Sequence, residues 1–402
     1  MKTKTGVTFQ ILIAVFIYVT PVASVIANDL TPMEFLGKFL FFDKISSPDS
    51  MSCAACHAPK SGFTGPIPGI NKHGAVYRGA IPQRFGNRKP PSAAYAAFSP
   101  ILHIDEHGLF VGGNFWDGRA TGERLGNPAA DQALGPFLNP VEQNNPSKQA
   151  VLEQVIDSSY APLWELVFGE PISFETDGEI EKNYDRIGLA IAAYEGSTEV
   201  NPFSSKFDYY LKDLDLVDLT EEEKSGLELF EGKAGCSLCH ISEKGDDGQP
   251  PLFTDFTFDN LGVPKNPENP FYDMNEVLLD DGTPINPDGS NWIDLGLGGF
   301  LETRPEWAHL ADENMGKHKV PTLRNVGKKA GKNSPKAFMH NGVFKSLEEV
   351  VHFYNTRDVE DWPPPEVPEN VNTDELGNLK LTDQEEAAIV AFMKTLSDGY
   401  VP

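Results

Sequence analysis

The run Cys53-Ala54-Ala55-Cys56-His57 occurs a second time as Cys236-Ser237-Leu238-Cys239-His240. A C-x-x-C-H run is the attachment signature of a c-type haem: two thiols add across the vinyl groups, and the adjacent imidazole is carried to the iron. Two intervening residues let both sulfurs reach neighbouring edges of one porphyrin, and the following His can then only fall on the metal. A lone C-x-x-C also reads as a zinc knuckle or a redox dithiol, and in an exported chain as a disulfide. Here all four cysteines sit in the two motifs, each pair followed by His, with no third pair to complete a zinc site. The expectation is two covalent c-type haems attached through Cys53, Cys56, Cys236 and Cys239, with His57 and His240 on the irons.

Upstream of each motif the same helix script appears. Leu30-Thr31-Pro32-Met33-Glu34 and Leu219-Thr220-Glu221-Glu222-Glu223 both read as an N-cap followed three residues later by glutamate. Phe35, Leu36, Phe39 and Leu40 give the first helix its apolar face. Gly37 and Leu40-Phe41 match Gly226 and Leu229-Phe230 at a constant offset of 189 residues, whereas Cys53 and Cys236 are 183 apart, so the first copy carries six extra residues around Ser46 to Asp49. Past the motifs, Ile187, Ala190, Ile191 and Tyr194 form one helical stripe, and Ile389, Phe392, Met393 and Leu396 another, after the capping box Thr382 to Glu385. An internal repeat of this kind argues for two related haem domains.

The chain opens with Lys2 and Lys4, an apolar run from Val7 to Ile26 broken by Pro21, and small residues before Asn28. This predicts a signal peptide over 1–27 and export to the periplasm or cell surface. No later stretch of about eighteen apolar residues predicts a transmembrane helix. About 375 residues remain, enough for two domains, placed at 28–205 and 206–402 with the junction between Asn201 and Asp218. The net charge of −26 argues against nucleic acid as a partner and is compatible with steering of a basic redox protein. Glu243 to Met315 and Asp361 to Leu379 are polar, rich in Pro, Gly, Asp and Asn, and predict long surface loops. The expected fold is mainly α, with two cytochrome c-like haem domains in tandem, long surface loops and only short ribbons.

Between the motifs, Phe115-Trp116-Asp117-Gly118-Arg119-Ala120, Asp131-Gln132-Ala133 and Asn139-Pro140-Val141-Glu142 resemble the bacterial di-haem cytochrome c peroxidase and MauG family. Val320-Pro321-Thr322-Leu323-Arg324-Asn325-Val326, His340-Asn341-Gly342 and Ser346-Leu347-Glu348-Glu349-Val350 resemble its second domain. The resemblance implies a peroxide-reacting N-terminal haem, an electron-storing C-terminal haem, and Trp116 as the oxidisable bridge between them. It implies that Glu142 and Gln132 line the distal pocket, Glu142 as acid–base group and Gln132 as hydrogen-bond donor.

The second haem's outer ligand separates the family's branches. Members with a methionine on the helix after His-x-Gly are peroxidases fed by a redox protein; MauG-like members carry a tyrosine, a hard donor that favours ferric and higher states. Tyr354 occupies that position. Met339 and Met315 do not match it, and His352 falls on another side of the helix. His73 follows His57 by sixteen residues, like a loop histidine that caps the first haem in some relatives; the alternative is a surface histidine. The resemblance also brings calcium, through an asparagine in Arg-Asn-x-Pro; here Arg88-Lys89-Pro90 puts lysine there, and no ligand is named.

The implied activity is a MauG-like di-haem peroxidase, using hydrogen peroxide to oxidise a tryptophan of a partner protein by long-range electron transfer. Trp164, Trp307, Trp362 and Tyr194 are candidate exit stations by residue type. One alternative is a cytochrome c peroxidase that reduces peroxide with electrons from a small redox protein. Another is a non-catalytic di-haem electron carrier, which leaves Gln132 and Glu142 without a role.

Overall fold

Thr31, Thr176, Thr220, Ser346 and Thr382 each open a helix by one device. The hydroxyl accepts the backbone N–H three residues on, and that residue's glutamate reaches back to the cap's own N–H. The computed structural model describes residues 30–212, 217–245 and 248–402; the expected signal peptide lies outside them. In chain order the helices are α1 (Pro32–Phe42), α2 (Cys53–Cys56), α3 (Pro68–Lys72), α4 (Pro128–Leu138), α5 (Lys148–Ile156), α6 (Ala161–Phe168), α7 (Asp177–Glu195), α8 (Lys206–Lys212), α9 (Glu221–Glu231), α10 (Gly296–Leu301), α11 (Leu347–Thr356) and α12 (Asp383–Lys394). The ribbons are two residues per strand. β1 (His103–Ile104) runs antiparallel to β2 (Phe110–Val111), and β3 (Phe258–Asp259) to β4 (His318–Lys319), with Phe258 opposite Lys319.

The repeat is visible as two equivalent helix crossings. A Cβ on Gly37 would stand 1.8 Å from the Ala190 carbonyl oxygen, and one on Gly226 would stand 2.0 Å from that of Ala388. Backbone therefore touches backbone where α1 meets α7 and where α9 meets α12, and only glycine fits. Around the first crossing Leu36, Leu40, Phe41, Ile187, Ile191 and Tyr194 are buried, in a core drawn from residues 36–200. Around the second, Phe230, Phe253, Ile389, Phe392 and Leu396 are buried, in a core drawn from residues 207–396. Each large side chain so buried contributes about 1.5–3 kcal/mol. Phe39, expected on the core face, is exposed and stacks on Tyr160 with ring centroids 5.1 Å apart. At the junction Asp398 accepts hydrogen bonds from Tyr95 Oη (2.9 Å) and Asn325 Nδ2 (2.7 Å), tying the two cores together.

Glu243 to Met315 has little regular structure, as its composition predicts, but it is not a peripheral loop. Leu297 and Leu301 of α10 are fully buried, with Leu102 and Phe110 from the first half of the chain in the same cluster. Asparagine side chains satisfy the backbone that no ladder serves: Asn266 Nδ2 donates to the carbonyls of Gly74 (3.1 Å) and Asn341 (2.9 Å), and Asn269 Nδ2 to Asn87 (2.9 Å). Asn260 does the same for Val367 and Glu369 of the later polar stretch. The earlier segment thus packs against the first half of the chain, with Asn266 and Asn269 turned to its carbonyls.

Gly37→Ala and Gly226→Ala should each lower stability by more than about 3 kcal/mol, because the new methyl meets backbone that cannot yield. Thermal melts of the haem-loaded variants check this; a loss under 1 kcal/mol at either site would mean the helices can separate there.

Candidate functional site

Each C-x-x-C-H run closes as one helical turn, with the His57 N–H on the Cys53 carbonyl and the His240 N–H on that of Cys236, both at 2.9 Å. The imidazoles are then oriented alike. His57 Nδ1 lies 3.2 Å from the Phe63 carbonyl oxygen and His240 Nδ1 lies 2.9 Å from that of Phe253. Both phenylalanines sit at left-handed φ, 56° and 54°, a costly conformation for a bulky residue that turns its carbonyl onto the ring. A proton held on Nδ1 leaves the Nε2 lone pair for a metal. Burial pushes His57 down to about 4 and lowers His240, so both rings are neutral at pH 7.

Cys53, Cys56, Cys236 and Cys239 are free thiols. Burial pushes all four up to about 12, which disfavours the thiolate that zinc or disulfide exchange needs. One cavity of about 400 Å³ reaches both motifs, and Trp116, Gln132, Glu142 and Tyr354 also line it. Neutral imidazoles and protonated thiols converging on a common cavity fit a pair of thioether-linked haems.

Trp116 is presented by a tight loop closed by the Asn114 and Ala120 backbone pair, with Gly118 at φ 75°. Its indole N–H donates to the Lys89 carbonyl at 2.8 Å, and its own carbonyl accepts the Lys319 N–H at 2.8 Å. Lys89 and Lys319 each lie two residues before a proline, Pro91 and Pro321, whose backbone bears on His57 and His240 respectively. The indole thus hangs between the two histidine-supporting loops. Beside it Asp117 is gripped by Arg88 (2.5 Å) and Arg119 (2.8 Å), and Arg88 forks onto Asp294 (2.6 Å to each oxygen).

Gln132 projects from α4, whose first turn is capped by Asn127. Glu142 follows α4 in a turn in which its N–H meets the Asn139 carbonyl (3.0 Å) and its carbonyl accepts the Ala80 N–H (2.6 Å). Burial raises the Glu142 carboxyl above its ordinary value, partly opposed by Arg119. A carboxyl so placed can hold and pass on a proton.

Comparison with known proteins decides the family. The profile described as di-haem cytochrome c peroxidase matches residues 32–215. The methylamine utilization protein MauG of Paracoccus denitrificans is 34% identical over 379 residues, covering 90% of this chain and 88% of that one. The cytochrome-c peroxidase IdrP2 of Denitromonas iodatirespirans is 29% identical, covering 91% and 81%. The crystal structure of the diheme peroxidase BthA from Burkholderia thailandensis superposes with a TM-score of 0.72 at 30% identity, covering 91% of this chain and 86% of that one. This chain belongs to the di-haem cytochrome c peroxidase and MauG family. It is a di-haem peroxidase, an oxidoreductase.

Tyr354, expected from the resemblance as the outer ligand of the second haem, lies on α11. Tyr354 lines the cavity beside Cys236, Cys239 and His240, and its hydroxyl has no hydrogen-bond partner among the described residues. Burial and the nearby Cys236 and Asp259 keep it in the phenol form. His352 points elsewhere, pairing with Glu386 (3.1 Å) and Glu360 (3.2 Å). Met315 packs with Leu297 and Leu301, while Met339 borders the cavity.

His73 is not brought to the cavity. It caps α3 on the surface and pairs with Glu268 at 3.1 Å, because α3 ends there and Lys345 holds the His73 carbonyl. In the stretch where the resemblance places a calcium ligand, Lys89 offers none. At the expected asparagine position the Lys89 ammonium donates to Thr64 Oγ1 (3.3 Å) and the Pro90 carbonyl (3.0 Å), which places a cation where a ligand is required. Trp164, Trp307, Trp362 and Tyr194 all lie off the cavity. Trp362 is the nearest of them to Tyr354 in packing, edge-on to Phe353 of the same helix at 5.2 Å.

Sequence reasoning missed several groups. Glu195, at the end of α7, borders the cavity in a buried position and is pushed up to about 8 by desolvation. Its register in the Ile187 to Tyr194 stripe was the available signal. His318 and His340 stack with centroids 3.6 Å apart beside Asp294; their planes are nearly parallel, so one ion has no position in the plane of both rings.

Glu195 generates a pH prediction. Its folded pKa is raised, so the stability of the wild type is fully present below the unfolded value near 4.5 and is lost as pH rises toward about 8. Glu195→Gln removes this loss. The thermal midpoint of the variant should match wild type at pH 4 and exceed it increasingly up to pH 8, at up to about 1.4 kcal/mol per pH unit. Equal midpoints at pH 8 would mean that Glu195 is ionised in the folded protein.

Proposed function

We propose that this chain is a MauG-like di-haem peroxidase, exported to the periplasm or cell surface, that uses hydrogen peroxide to oxidise a tryptophan of a partner protein. The observation that carries the reading is Tyr354, whose phenol lines the cavity with Cys236, Cys239 and His240 and has no hydrogen-bond partner among the described residues. Bound through Cys53/Cys56 and Cys236/Cys239, the haems supply the peroxide-reactive iron and the store of oxidising equivalents. His57 and His240 present neutral Nε2 atoms as ligands. Tyr354 would, on ionising, offer a hard oxygen donor to the second haem, of a kind that favours oxidised iron.

In the first pocket Glu142 would take a proton from hydrogen peroxide and return it to the oxygen that leaves as water, while Gln132 would orient the peroxide by a hydrogen bond; the haem, when bound, would supply the redox iron. Trp116, held on both histidine-supporting loops, carries oxidising equivalents between the two centres. Because transfer runs through the protein, the substrate tryptophan stays on the partner's surface, and the acidic charge of −26 favours a basic docking face on that partner.

A second reading, peroxide reduction with electrons from a small redox protein, is favoured by exposed apolar side chains beside the second motif. Leu238 is 61% exposed and Ile241 is 39% exposed, a place where a redox partner could dock close to the second haem.

Two outcomes separate these readings and test the roles. In wild type, stoichiometric peroxide added to the diferric protein should produce a near-infrared band from charge shared between the haems; Tyr354→Phe should change the second haem's resting EPR signal and abolish that band. A wild type inert to peroxide until one haem is reduced would favour the second reading. Glu142 must be ionised to take the proton, so the rate of peroxide consumption should rise with pH through a value above the ordinary carboxylate range and then level. Glu142→Gln should lower that rate by about 10²-fold or more and flatten the profile; a retained pH step in stopped-flow would assign it to another group.

A further inference from the structure

Three lysines, Lys89, Lys319 and Lys336, border the cavity, and among the described residues none of them is paired with a carboxylate. Lys89 and Lys336 are buried, at 8% and 7% exposure. A cation withdrawn from water without a counter-charge is costly, so each must be accounted for by what surrounds it.

An ammonium has three donors. Lys336 uses all of them on backbone carbonyls, those of Ser61 (3.3 Å), Asn325 (2.8 Å) and Lys328 (2.9 Å), and its role is to fasten the two halves of the chain. The other two are built differently and alike. Lys89 spends two donors, on Thr64 Oγ1 and the Pro90 carbonyl. Lys319 also spends two, on Ser99 Oγ (2.9 Å) and the Gly112 carbonyl (2.9 Å). Each is left with one N–H at a cavity wall, the Lys89 ammonium 5.9 Å from the Trp116 ring centroid and that of Lys319 5.0 and 5.5 Å from those of Phe256 and Phe258. They also occupy matching places in the repeat, two residues before Pro91 and Pro321, in the loops that support His57 and His240.

We propose that Lys89 and Lys319 are a matched pair of carboxylate anchors, one for each haem, whose remaining N–H and charge bind the haem propionates. The inference needs only the two haems of the family and is independent of which peroxidase reading holds. It accounts for the missing counter-charge, since each haem brings carboxylates and no carboxylate among the described residues lies within ion-pair distance of either ammonium. It also gives the backbone contacts of Trp116 a second meaning: the residues that hold the indole from either side are the residues that hold the two cofactors. Burial pushes Lys89 down to about 8 and Lys319 to about 7, the latter partly opposed by Asp255, in keeping with an incomplete ion pair.

The test uses the fully loaded protein, with two haems per chain verified by iron content, and the variants Lys89→Met, Lys319→Met and, as control, Lys336→Met. Resonance Raman of the diferric protein should show the propionate bending mode of one haem displaced in Lys89→Met and that of the other displaced in Lys319→Met. Spectroelectrochemical titration should show the affected haem's potential lowered in each case, because loss of a nearby cation disfavours the added electron. Lys336→Met should lower the thermal midpoint and leave both propionate modes in place. Where a methionine variant does not retain its haem, the corresponding Lys→Gln is read the same way. Propionate modes unmoved in both anchor variants, or moved as much by Lys336→Met, overturn the assignment.

Discussion

The structure turns on two hydrogen bonds to one residue. Trp116 gives its indole N–H to the first half of the chain, through the Lys89 carbonyl, and takes the Lys319 N–H from the second through its own carbonyl. A buried indole N–H without a partner costs about 1–3 kcal/mol, so the ring has a defined seat only when both loops are in place. The same loops bear on His57 and His240, and the spacing of the two histidines is thereby coupled to the placement of the ring between them.

Each half supplies a helix crossing and an apolar core of its own, and the cavity lies between them. Its walls carry neutral histidines, protonated thiols and the ammoniums of Lys89 and Lys319. A cofactor that enters and satisfies them contributes its binding energy to the native state. Stability and cofactor content are therefore one property in this chain, and the Asp398 junction with Tyr95 and Asn325 holds the halves in register for it.

Much of this was legible in the sequence where the signal is local. The capping boxes at Thr31, Thr220, Ser346 and Thr382 form as their spacing predicts, and the two late helical stripes are buried as their period predicts. Gly37 and Gly226 stood out as repeat positions, although only the crossings explain why a side chain is excluded. The cavity-lining places of Trp116, Gln132, Glu142 and Tyr354 came from resemblance, since nothing local marks a residue as facing a cofactor. Lys89, Lys319 and Lys336 were illegible because lysine is a surface residue by default, and the carbonyls and hydroxyls that receive them are mostly distant in sequence. The polar stretch from Glu243 to Met315 was misread for the same reason: Asn266 and Asn269 look solvated until the carbonyls of Gly74 and Asn87, nearly two hundred residues earlier, are set against them.

That stretch also carries Asp294, which the Arg88 guanidinium draws onto the cavity wall. In the order of synthesis it emerges after both C-x-x-C-H runs. The wall is thus completed by a segment that follows both C-x-x-C-H runs in the chain, and an arginine of the early half finds this carboxylate only once that later segment exists.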